Sequence, residues 1–174
     1  LQYVKLTAVQ RDELMRSLGA MPVFLRDAFA ALSVEEARLP GPDGAFSPVE
    51  QVWHLADLER EGFGQRIRRL QTETNPVLPD FDGAAVARKR DYKSLALSAG
   101  LAAFEASRHA NISLLQSLPP DAWSHSGTQE GLGPVSLCDM PAIIQQHDQA
   151  HVTEIHEWQR AVGRTTTESG AHGA

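Results

Sequence analysis

Apolar positions recur along the chain at the three-and-four spacing of helices, and no stretch alternates convincingly with the period of two that marks a half-buried strand. Four long helical patterns result. The first covers about 8–32, where Thr7 and Gln10 can form a capping box and Pro22 is expected to kink or split the helix. After the break ARLPGPDGAF, the segment SPVE at 47–50 starts a second helix: Ser47 caps, Glu50 reaches back, and Pro48 takes the first helical position. That helix is expected to run to about residue 72. TNPVLPDFDG breaks the pattern again. A third helical region is expected over about 84–118, interrupted near 98–100, with Leu101, Phe104, Ile112, Leu115 and Leu118 at core spacing. The turn-rich PPDAWSHSGTQEGLGPV follows; Ser136 with Asp139 then opens a last helix that Gly163 ends.

These patterns predict an all-α fold, most simply a four-helix bundle with long crossover connections, the alternative being an irregular helical array. One domain is expected over 1–163, with 164–174 as a flexible tail.

Composition narrows the function classes. Of the 174 residues, 42% are hydrophobic and 22% charged, as in an ordinary globular protein. No run approaches the roughly 18 apolar residues of a membrane span, and the first residues lack the apolar core of a signal peptide, so a cytoplasmic setting is expected. Sixteen Lys and Arg against 22 Asp and Glu give a net charge of -6, which disfavours nucleic acid and anionic membrane as partners. The basic clusters RIRRL at 66–70 and RKR at 88–90 read most simply as solvated helix faces. Cys138, the single cysteine, excludes an internal disulfide and any CxxC site. Metal chemistry must then use histidine and carboxylate.

The last helix carries that chemistry. At about 100° per residue, Met140, Ile143, Ile144, Ala150, Ile155, Trp158, Ala161 and Val162 fall within about 80° of His147. His151 lies about 40° from it and Glu154 about 20° the other way, so both enter the apolar stripe, whereas His156 lies outside. Buried imidazoles need partners. Each could hydrogen-bond a neighbouring helix or a trapped water, but two histidines four apart also present one turn's spacing to a single cation. HDQAH is not the HExxH of a zinc peptidase, because Asp148 lies about 100° off the stripe and is a methylene too short. Nor does any histidine follow a glutamate by three residues, as a di-iron bundle requires. A third ligand could come from His54, His109, His125 or a carboxylate such as Glu154. Periodicity sets His54 with Glu50, Asp57 and Glu61, away from its helix's apolar stripe, which favours a solvated face. Cys138 lies about 13 Å up the helix from His147 and on the opposite face, and reads as a packing residue.

GPDGAFSPVEQVWHLADLE, FEASR with its F-x3-R, GPVSLCDM and HDQAHVTEIHEW, in that order, resemble the DinB-like superfamily of DinB/YfiT-type metal-binding four-helix bundles. The resemblance implies that His54, His147 and His151 bind a divalent ion, zinc or nickel, and that the chain forms a homodimer. Asp57 and Glu154 could orient the imidazoles or a bound water. It further implies a metal-dependent S-transferase that uses a low-molecular-weight thiol against a small electrophile. The alternatives are a metal-dependent hydrolase and a non-enzymatic stress-response bundle in which the ion braces the helices. The connections at 73–83 and 119–136 are expected to supply the pocket walls.

Overall fold

The computed structural model describes residues 6–164. The expected tail lies outside these residues except for Arg164. Helix α1 (Ala8–Ala28) begins at the Thr7/Gln10 capping box, where Gln10 N–H donates to Thr7 Oγ1 at 3.2 Å and Thr7 N–H to Gln10 Oε1 at 2.8 Å. It ends short of residue 32 and passes unsplit through Pro22. A proline removes the donor for the carbonyl four residues earlier, here that of Leu18. Arg108 Nη1 donates to that carbonyl at 3.0 Å and replaces the lost bond. Helix α2 (Pro48–Asp57) starts where Ser47 N–H and Oγ–H both donate to Glu50 Oε2, at 3.0 and 2.7 Å. A π-helical segment, Leu58–Phe63, joins it to α3 (Gly64–Thr72).

The third region breaks at a different place from that expected. Helix α4 (Gly83–Arg90) ends at Asp91, which is left-handed at φ 46°, and α5 (Leu97–Gln116) follows after a short turn. Gly100 is inside α5, because a Cβ there would lie 2.5 Å from Val52 Cγ2; glycine here permits close approach of helices and does not stop one. Three short strands also correct the strand-free expectation. β1 (Val77–Leu78) pairs parallel with β2 (Ser126–Gln129), and β2 pairs antiparallel with β3 (Gly133–Ser136). At two to four residues, with Leu78 and Val135 the only large apolar side chains buried in them, they are too short to show an apolar alternation in the sequence. Helix α6 (Met140–Ala161) closes the bundle, α1 packing on α5 and α6 and α2 on α5.

Two apolar clusters fill the interior. One gathers Met15, Leu18, Leu58, Ile67, Leu115 and Ile144, and the other Met21, Leu25, Val52, Leu55, Phe104, Ile155 and Trp158. Each of α1, α5 and α6 contributes to both. Between its two contributions α5 carries Arg108 and Asn111, and α6 carries His147, Asp148 and His151. The chain passing from α2 into the π segment adds His54, Asp57 and Glu59 at the same level. The bundle therefore has a polar waist between two greasy ends.

Candidate metal centre

Three imidazoles meet in this waist. One ring nitrogen from each of His54, His147 and His151 lies within 4.8 Å of the others. The ring centroids are 5.7 Å apart for His54 and His147, 5.0 Å for His54 and His151, and 4.4 Å for His147 and His151. His109 and His125 are exposed and outside the cluster, and His156 packs edge-on against Phe24 instead. Cys138 is buried near the start of α6, where its sulfur accepts from Leu6 N–H at 3.2 Å.

His54 is buried, against the solvated-face expectation. Periodicity missed this because α2 is covered on its polar side as well, by α4 and the turn at Tyr92. Phe46 and Phe81 flank the ring at 5.4 and 6.3 Å, and Gly83 is in contact with it. A Cβ at residue 83 would lie 2.6 Å from His54 Nδ1.

The buried arc of α6 is also rotated from the one expected. Ala150 and Ala161 are exposed, whereas Asp148 and Gln159 are buried, which centres the arc about 70° from His147 toward Asp148. Arg108 is the cause. Its guanidinium is bidentate to Asp148 at 2.7 and 2.9 Å. Nη2 also donates to Glu59 Oε2 at 3.0 Å, while Nε stands at ion-pair distance, 2.9 Å, from Glu59 Oε1 without hydrogen-bonding alignment. Asn111 completes the group, donating from Nδ2 to the Glu59 carbonyl and side chain. Beyond the F-x3-R spacing, in which Phe104 lies 4.8 Å under the Arg108 cation, nothing in the residue pattern signals this network.

His151 is held from behind. Its Nδ1 is 2.7 Å from Gln51 Oε1 and 3.1 Å from Glu154 Oε2, and Gln51 Nε2 donates to the same carboxylate oxygen at 2.8 Å. Two acceptors at Nδ1 place the proton there, so Nε2 carries the lone pair. That Nε2 faces His147 Nε2 at 3.2 Å. Two such nitrogens need a proton or a cation between them. Tetrahedral zinc with nitrogen ligands at 2.0–2.1 Å spaces them about 3.3 Å apart, so the observed gap fits.

Burial pushes His54 down to about 4 and His147 to about 3, with the neighbouring imidazoles acting in the same direction. Both are neutral at pH 7, as metal ligands must be. Their Nδ1 atoms are buried without a hydrogen-bond partner among the described residues. Glu154 is held down to about 2, chiefly by its hydrogen bond with His151. Asp57 faces elsewhere: it accepts from Tyr92 and Arg60 and pairs with Arg90, and acts on His54 through its charge alone. Gln51 is the site residue that sequence reasoning missed.

A helical bundle with three inward histidines defines a class, and comparison with known proteins gives the family. Residues 20–155 match the DinB superfamily, and the chain belongs to it. It is 26% identical over 152 residues to a protein of Geobacillus thermodenitrificans (strain NG80-2) provisionally named a metal-dependent hydrolase, spanning 87% of this chain and 85% of that protein. It is 24% identical over 150 residues to YfiT of Bacillus subtilis (strain 168), provisionally named in the same way, with 84% of each chain covered. The solved structure of Bacillus subtilis YfiT, described as having an unusual four-helix bundle topology, superposes with a TM-score of 0.85 at 21% identity, over 95% of this chain and 94% of that one. The fold is therefore a four-helix bundle of DinB/YfiT type. Among the described residues no helix is long and apolar enough to cross a membrane.

Proposed function

We propose that this protein is a metal-dependent hydrolase in which His54, His147 and His151 hold one divalent cation, zinc or nickel, as three neutral imidazoles. The observation that carries this reading is the convergence of three ring nitrogens within 4.8 Å, from helices far apart in the chain. Borderline-soft ions suit imidazole donors, and three protein ligands leave a fourth position open. A cation there would supply a Lewis acid and a source of hydroxide near neutral pH. Gln51 and Glu154 hold the His151 ring so that Nε2 stays in place. Glu154 is an orienting group and not a general base, since a carboxyl held near 2 is a poor proton acceptor at pH 7. The hydrolase names of two relatives support the same chemistry.

A bracing ion is the second reading, favoured by the burial of His54 and His151, with His147 only partly exposed. Thiol transfer would use the same ligands with an external thiol, since Cys138 is buried near the start of α6. One experiment separates the three. The purified protein is assayed for metal content and for turnover of carboxylic ester, amide and phosphoester substrates, with and without chelator. A parallel arm adds glutathione, bacillithiol or mycothiol with a small electrophile. About one ion per chain with chelator-sensitive hydrolysis is expected. Turnover only with a thiol would replace hydrolysis by transfer, and a full ion without turnover would leave the bracing role.

A further inference from the structure

The RIRRL cluster is not the uniformly solvated face its sequence suggests. Arg68 is exposed, and Arg69 is spent on a bidentate pair with Glu73 at 2.7 and 2.8 Å. Arg66 is different: it is 5% exposed, yet its one hydrogen bond among the described residues runs from Nη2 to the Pro79 carbonyl at 3.2 Å. Its nearest acid among the described residues, Asp80, is 4.0 Å away and 73% exposed, and Nε is buried with no hydrogen-bond partner among them. Burial lowers the pKa of the guanidinium, which shows that nearby charge does not fully compensate it.

Arg66 lines a cleft of about 30 Å³ together with Gly62, Leu78, Pro79 and Phe81. A water needs roughly 10–15 Å³ of such space, so the cleft has room for about two oxygens, those of a carboxylate or of one edge of a phosphate. Glu61 also lines it, but its carboxylate is already engaged by Arg60 and Arg90. The cleft shares one aromatic wall with the histidines, Phe81, and Phe63 stands between Arg66 and His147. The Arg66 cation lies 5.7 Å from the Phe63 ring, and Phe63 packs edge-on to His147 at 5.6 Å. Phe81, a wall of the cleft, lies 6.3 Å from the His54 ring.

We propose that Arg66 anchors an oxyanion-binding pocket that takes a carboxylate or phosphate group, and that this group belongs to the molecule acted on at the histidine cluster. The second half rests on the metal-site reading; the first does not. A guanidinium offers five N–H donors in a planar fork matched to such groups, and an anion would supply the counter-charge that Asp80 gives only from a distance.

The test is NMR titration of the purified full chain at constant ionic strength, following the Arg66 Nε–H resonance. Inorganic phosphate and acetate are the probes, and chloride is the control. A saturable shift with phosphate or acetate is expected, and the tighter of the two names the class. Bound phosphate or acetate should also raise the thermal midpoint, and Arg66→Gln should abolish that rise. Should that variant fail to fold, Asp80→Asn still decides, because removing an exposed competing acid should tighten binding about twofold or more. A shift that does not saturate, an equal response to chloride, or an Asp80→Asn protein with unchanged affinity would overturn the pocket. Metal content, measured alongside, keeps the two readings apart. A responsive Arg66 in a protein that holds no metal would sustain the pocket and sever its link to the histidines.

Discussion

At the scale of single residues, the histidine cluster depends on side chains that leave room as much as on the imidazoles that fill it. Gly83 is the sharpest case, because its missing Cβ is the space that the His54 ring occupies. Gly83→Ala is expected to displace the ring, lowering metal affinity at least about tenfold and stability by about 1–3 kcal/mol, the usual scale of overpacking. Competition titration against a chelating indicator, with a urea melt, checks both; unchanged affinity would show that the ring can retreat without loss. The histidines themselves were legible to different degrees. His147 and His151 announce themselves by spacing on one helix. Nothing local marks His54 as buried, because Phe81 and Gly83, which pack on its ring, come from the stretch TNPVLPDFDG that reads as a connection. Gln51 was illegible for a related reason: its value lies in meeting Glu154 and His151 across the helix interface.

At the scale of elements, Arg108 does two jobs that helical periodicity cannot express. It caps the Leu18 carbonyl that Pro22 leaves without a donor, so α1 runs on where a break was expected. It also draws Asp148 inward, and with it the whole buried arc of α6, leaving His147 at the rim of that arc. Replacing Arg108 by Met would leave the Glu59 and Asp148 carboxylates buried without their cation. A loss of about 3–5 kcal/mol is expected, read as a fall in the urea midpoint. A loss under about 1 kcal/mol would mean that the network adds little to stability. Helix starts at Thr7 and Ser47 were readable because capping chemistry is local. The π segment was not, since the one-residue shift of backbone bonds over Leu58–Phe63 carries no signature in residue type.

At the scale of the molecule, the polar waist makes the fold sensitive to protons. His54 and His147 are held near 4 and 3 in the fold but titrate near 6.5 when unfolded, so the unfolded chain binds more protons between those values. Stability of the metal-free protein is therefore greatest above about pH 6.5 and falls as pH drops through that window. Urea midpoints at pH 7.5 and pH 5 should differ in this direction, and equal midpoints would contradict the burial of neutral imidazoles. The four-helix architecture was legible in the sequence, because four apolar stripes must be buried against one another. The three-stranded sheet and the cover over α2 were not, because short strands and α4 owe their shape to the bundle they pack on.

The central claim is that the α2 histidine shares one cation with the α6 pair. Metal bound per chain, measured by elemental mass spectrometry after dialysis against zinc, tests it most directly for the native protein and for His54→Ala and His156→Ala. The account predicts about one ion for the native chain and for His156→Ala, and a small fraction of that for His54→Ala. A His54→Ala protein that keeps its full ion would contradict it.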